Sequence, residues 1–207
     1  MIRKTTVLLL LCLLFFGGYR LFSSKPQIKN TSPSGANIIC FGDSLTRGTG
    51  ATEGMDYPSQ LSKMISKPVI NVGVAGDTTA RALTRLERDV LRQAPRIVLI
   101  TLGGNDLKNG VPTQTAFGDL GKIVKAIQGR GALVVVGGID VPLWGRGYGN
   151  AYKELCKEAG CVLIPDILEG ILGNGNLMSD PIHPNGAGYG IVAQRFFEAI
   201  KPYLNTN

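Results

Sequence analysis

The sequence predicts an α/β protein in which a parallel sheet is covered by helices on both faces. Two observations carry that expectation. Five short runs are continuously apolar and rich in β-branched residues, the pattern of strands buried on both faces rather than one. Between them lie segments with apolar residues at helical spacing, and strands separated by helices build parallel sheets. A length of 207 residues, with 44% hydrophobic residues and 28 glycines, suits one loop-rich domain.

The chain opens with "MIRKTTVLLLLCLLFFGGYRLF", two cations followed by an apolar run from Val7 to Phe16. That is a charged head on a hydrophobic core of signal-peptide length, short for a span of roughly 20 residues. No A-x-A-like cleavage site follows, and Cys12 inside the run is a poor lipid acceptor. Residues 1–24 are therefore read as a cleaved export signal or an uncleaved membrane anchor. Either way the rest of the chain is expected to be exported, periplasmic or held at the membrane. The stretch 25–36, "KPQIKNTSPSGA", is polar and Pro-containing and reads as a linker before a domain at 37–207.

Within that domain the five runs are "NIICF" (37–41), "VINVGV" (69–74), "RIVLITL" (96–102), "ALVVVGG" (132–138) and "CVLIP" (161–165). In "TTARALTRLERDVLRQ", Leu83, Leu86, Val90 and Leu91 fall on one helical face, with Asp77 or Thr78 placed to cap it. Further helices are expected from Thr113 to Gln128, Tyr148 to Ala159 and Ala187 to Leu204. Cys40 reads as a small core residue. Cys156 and Cys161 are near enough in sequence to bridge, but read as buried free thiols.

Charge narrows the partners. Of the formal +7, Arg3, Lys4 and Arg20 supply three within an acid-free terminus, leaving +4 for the remainder. Arg81, Arg85, Arg88 and Arg92 read as a solvated helix face, and no basic run with interleaved aromatics points to nucleic acid. Nothing suggests an obligate protein partner.

In parallel sheets ligands sit beyond the carboxyl ends of the strands, so the residues after each strand carry the chemistry. After the first comes "FGDSLTRGTG" with Ser44; it is not a G-x-S-x-G elbow, because Thr46 replaces the last glycine. After the second, "NVGVAGDTT" puts Gly73 and Gly76 where a backbone N–H could approach a ligand. After the third, "LGGNDL" brings Asn105 and Asp106. A late loop, "SDPIHPNGAGY", holds Asp180 and His183, the single histidine of the chain. Taken singly each is a turn or a cap. Together they supply a nucleophile, a base, a carboxylate to orient the base, and donors for an oxyanion. Asp-x-x-His spacing lets the carboxylate reach one imidazole nitrogen and leaves the other to face a serine.

The blocks "GDSL", "NVGVAG", "GGND" and "DPIHPN", in that order, resemble those of the SGNH (GDSL) hydrolase family. They are most similar to its bacterial acyl-CoA thioesterase I/lysophospholipase and arylesterase group. The resemblance implies a three-layer, flavodoxin-like fold with five parallel strands, and no metal or cofactor. It implies Ser44 as nucleophile, His183 as base and Asp180 as its orienting acid. The backbone N–H groups of Ser44 and Gly73 and the amide of Asn105 would form the oxyanion hole. The substrate would be a small acyl ester or thioester, lysophospholipids included. Leu107 and Val111 in one loop, with Val141, Leu143 and Trp144 in the next, would line an acyl groove.

Three other readings stand beside this one. A carbohydrate O-acetylesterase would use the same residues on a shorter acyl group. A metal phosphoesterase built on Asp43, Asn105, Asp106, Asp180 and His183 conflicts with a single histidine. A non-catalytic binding module on the same fold would be expected to have lost a member of the constellation.

Overall fold

A computed structural model describes residues 27–140 and 147–205. Residues 1–24, expected to be an export signal or membrane anchor, and the residues Val141, Leu143 and Trp144 lie outside them. The described residues form β1 (Asn37–Gly42), β2 (Val69–Gly73), β3 (Pro95–Thr101), β4 (Leu133–Gly137) and β5 (Val162–Ile164), all parallel, in the spatial order β2-β1-β3-β4-β5. The helices are α1 (Ser44–Arg47), α2 (Tyr57–Ile65), α3 (Thr79–Asp89), α4 (Gly104–Lys108), α5 (Thr113–Gln128), α6 (Tyr148–Ala159) and α7 (Gly186–Ile200). This is the three-layer α/β/α fold expected, in flavodoxin-like order.

Strand alternation sorts the apolar residues into two cores. Ile39, Phe41, Val98, Ile100, Val134 and Val136 face α3, α5 and α6. Ile38, Cys40, Ile97, Leu99, Leu133 and Val135 face α2 and α7. Each such residue that is fully buried contributes about 1.5–3 kcal/mol, which explains why continuous rather than alternating runs were needed. Cys40, Cys156 and Cys161 are buried free thiols, as expected.

The short helices α1 and α4 were not expected, and further details differ from the sequence expectation. α2 was not anticipated; Asp56 caps it by accepting from the Ser59 N–H at 2.9 Å, and Pro58 occupies its first turn, where proline lacks no needed donor. α3 ends at Asp89 and gives way to a 3₁₀ turn at Leu91–Gln93; its cap is Thr78, while Asp77 turns elsewhere. Arg85 is not on the solvated face of α3 but buried, 9% exposed.

The segment 27–36 lies against the end of the sheet opposite the strand carboxyl ends. Lys29 N–H donates to the Gly160 carbonyl at 2.9 Å, and Asn30 Nδ2 donates to the Gln128 and Ala132 carbonyls at 3.0 and 2.9 Å.

Candidate active site

The site is built where β1 ends. Gly42 is packed so closely that a Cβ would overlap the Thr46 hydroxyl and the Thr101 carbonyl oxygen. Asp43 follows as the cap of α1, its Oδ1 accepting from the Leu45 N–H at 3.0 Å. Ser44 is thereby the first residue of α1, where its own N–H has no intrahelical acceptor. Gly48, at φ 88°, ends the helix after one turn. Below it Thr46 bonds the Tyr57 hydroxyl at 3.0 Å and the Thr101 hydroxyl, so the turn is pinned to β3 and α2.

The histidine loop is fixed from both sides. Met178 and Pro184 pair as an antiparallel bridge, and Asn185 caps α7 by accepting from the Ala187 and Gly188 N–H groups. Within that loop Asp180 Oδ1 accepts from the Ile182 and His183 N–H groups, both at 2.8 Å. Its Oδ2 stands 2.6 Å from His183 Nδ1, and His183 Nε2 stands 3.0 Å from Ser44 Oγ. The hydrogen bond from His183, with those two backbone donors, holds the Asp180 carboxyl down at about 2. An ionised Asp180 makes Nδ1 the protonated nitrogen and leaves Nε2 to accept from the serine hydroxyl. Ser44, His183 and Asp180 are therefore brought together as one hydrogen-bonded chain that can move a proton off Ser44.

Asn105, second in α4, donates from Nδ2 to Asp43 Oδ2 at 3.2 Å and to the Asp77 carbonyl at 2.9 Å. The neighbouring Asp106 is turned away; its carboxylate receives the Thr79 N–H at 2.9 Å and the Thr79 hydroxyl at 2.7 Å. Gly73 is not brought to this cluster. Val74 N–H pairs with the Gly42 carbonyl, so the preceding N–H points to the open edge of the sheet, where it donates to Asn71 Oδ1 at 2.9 Å. Gly73 instead lets α1 approach: a Cβ there would overlap the backbone at Thr46 and Arg47. Gly76 lies on the 74–77 turn, one residue before the carbonyl that Asn105 holds, at φ 80°.

Burial pushes the Asp43 carboxyl up to about 7, against the lowering by the Leu45 N–H and the charge of His183. The unfolded value is about 3.9, so the protonated form favours folding. That contribution is fully present below about pH 4 and lost as pH rises through 7. Asp43→Asn, neutral throughout, is therefore expected to gain stability relative to the parent between pH 5 and pH 8. Urea midpoints of both proteins at the two pH values check this, and a difference independent of pH would contradict it.

Ser44, His183 and Asn105 open into one cleft. Its apolar wall comes from Leu45, Leu107, Ile139, Leu168, Leu172 and Ile182, with Lys108 at the rim. Leu107 was expected there. Val111 is not in the wall; its N–H closes α4 by donating to the Asp106 carbonyl at 2.9 Å. Leu143 and Trp144 lie outside the described residues. Leu168 and Leu172 follow β5, so the rule applied to the earlier strand ends would have found them at the fifth. Ile182, 53% exposed, stands inside the Asp-x-x-His motif itself.

Residues 40–191 match the model of the GDSL-like lipase/acylhydrolase family. The chain is 31% identical over 176 residues to the thioesterase 1/protease 1/lysophospholipase L1 of Escherichia coli K12, covering 81% of this chain and 85% of that protein. It is 29% identical over 184 residues to an arylesterase of Vibrio mimicus, covering 84% and 92%. The crystal structure of a TesA superposes with a TM-score of 0.77 at 26% identity, covering 82% of this chain and all of that one.

Proposed function

On the premise that this chain belongs to the GDSL-like lipase/acylhydrolase family of SGNH hydrolases, we propose that it cleaves acyl esters or thioesters, lysophospholipids among them, through an acyl-enzyme on Ser44. The chain is a serine hydrolase acting on ester bonds. The finer reading rests above all on one observation: Asp180, His183 and Ser44 are linked at 2.6 and 3.0 Å, with Ser44 and His183 opening into an apolar cleft.

In this reading Ser44 Oγ attacks the acyl carbonyl while His183 Nε2 takes its proton. Asp180 holds the ring and stabilises the imidazolium. The carbonyl oxygen becomes an oxyanion received by the Ser44 N–H and by Asn105 Nδ2, which yields its longer bond to Asp43 as charge develops. We assign the third donor to Gly76, on the turn tied to Asn105, since the Gly73 N–H is directed elsewhere. Collapse expels the alcohol or thiol with the proton from His183, and water repeats the sequence to release the acid. The apolar N-terminal segment supports an exported enzyme, periplasmic or membrane-anchored.

The six apolar wall residues predict preference for acyl chains longer than acetyl. With p-nitrophenyl esters of increasing length, kcat/KM is expected to climb while methylenes still enter the cleft. Each buried methylene is worth up to about 0.8 kcal/mol, or up to about fourfold. A profile that is flat or falls beyond acetyl would move the assignment to an acetylesterase using the same Ser44, Asp180 and His183.

A further inference from the structure

We infer that Arg85 is a positioning residue that holds the nucleophile turn and the 74–77 turn in register, and through the Asp77 carbonyl fixes the amide of Asn105. The inference rests on the reading of Asn105 as an oxyanion donor. Arg85 projects from α3 beneath the ends of β1 and β2, and its guanidinium is shared among four acceptors. Nε donates to Asp77 Oδ2 at 2.6 Å and Nη2 to the Gly42 carbonyl at 2.9 Å. Nη1 donates to the Val72 carbonyl at 2.8 Å and to Asp89 Oδ2 at 3.0 Å. The plane lies over the Phe41 ring, 4.5 Å from its centroid.

An arginine needed only to neutralise a buried acid would be satisfied by Asp77, which is 2% exposed. Arg85 does more. Gly42 immediately precedes Asp43 and Ser44, Val72 opens the stretch that leads to the 74–77 turn, and Asp77 offers its backbone carbonyl to Asn105 at 2.9 Å. One rigid fork therefore sets the distance between the serine and the donor that must meet the same oxyanion. Lysine keeps the charge but presents its donors from a single point and cannot span acceptors on two strand ends and a carboxylate. Errors of about 1 Å in such geometry are costly to a step that depends on alignment.

The test is a double-substitution cycle read on kcat and KM, below the melting temperature of every variant. Arg85→Lys is expected to lower kcat by roughly 10–100-fold, part of the roughly 10²–10³-fold that a lost donor costs, with KM changed less than about threefold. In an Asn105→Ala background the same substitution is expected to cost several-fold less in kcat than in the parent, since one of the donors it positions is gone. A full, independent loss in that background would overturn the inference and leave Arg85 a structural residue. If Asn105→Ala alone leaves kcat unchanged, the donor reading fails first and the inference with it. Should Arg85→Lys not fold, Asp77→Asn replaces it. That variant keeps an acceptor for Nε but weakens the bond, so a smaller kcat loss that again shrinks beside Asn105→Ala is expected. Unchanged kcat in Asp77→Asn would overturn the inference.

Discussion

Ser44→Ala is expected to reduce ester hydrolysis by roughly 10⁶-fold in kcat, while leaving the fold and its stability nearly unchanged. The two halves of that result have separate physical causes. Among the described residues the Ser44 hydroxyl stands 3.0 Å from His183 Nε2, and no other hydroxyl or thiol lines that wall. Cys40, the nearest thiol in sequence, is fully buried, and burial drives its ionisation far above the ordinary thiol range. Stability should survive because the capping of α1 belongs to Asp43, not to Ser44, and the turn is pinned from below by Thr46, Tyr57 and Thr101. A serine-directed organophosphonate should label the parent on the peptide containing Ser44 and leave the variant unlabelled, as read by mass spectrometry. A label elsewhere, or turnover within tenfold of the parent, would dismiss Ser44 as nucleophile.

What the sequence disclosed and what it withheld follow from how local each feature is. The strands were legible because burial on both faces leaves an uninterrupted apolar run, and Val98 and Leu99 need no partner to declare themselves. Asp180 and His183 were legible because three residues of loop suffice to bring a carboxylate to an imidazole. Arg85 was not. It stands among Arg81, Arg88 and Arg92 with nothing in the local pattern to set it apart, and only the carbonyls at the ends of β1 and β2 select it. The choice between Gly73 and Gly76 was hidden for a related reason. In "NVGVAGDTT" both glycines follow the second strand, but the pairing of Val74 with Gly42 decides which N–H faces the open edge. The helix Tyr57–Ile65 was overlooked because Pro58 reads as a breaker unless its place just after the capping Asp56 is recognised. The wall residues Leu168 and Leu172 belong to none of the motif blocks and reach the cleft because they follow the carboxyl end of β5.

Asp180→Asn should separate the role of the acid from that of the loop it stabilises. The expected result is a kcat loss of roughly 10⁴-fold with KM little changed. The substitution is nearly isosteric, and the amide oxygen can still accept from the Ile182 and His183 N–H groups that Oδ1 holds at 2.8 Å. What changes is the partner of Nδ1. Facing a carboxylate at 2.6 Å, Nδ1 must carry the proton; facing an amide NH₂, it becomes the acceptor, and the proton moves to Nε2. Nε2–H then points at Ser44 Oγ and cannot take its proton. KM should hold because Asp180 is not part of the cleft wall. The carboxyl, held down at about 2, also gives a stability contribution that is present above its unfolded value of about 3.9 and lost as pH falls through 2. The parent should therefore exceed the variant in stability at pH 7 and converge on it toward pH 2. Phosphonylation of Ser44 should slow in proportion to kcat, since both need the serine proton removed. A variant with kcat within tenfold of the parent would remove Asp180 from the proton path. A rise in KM matching the loss of kcat/KM would mean that the 180–183 loop had moved and the substrate with it.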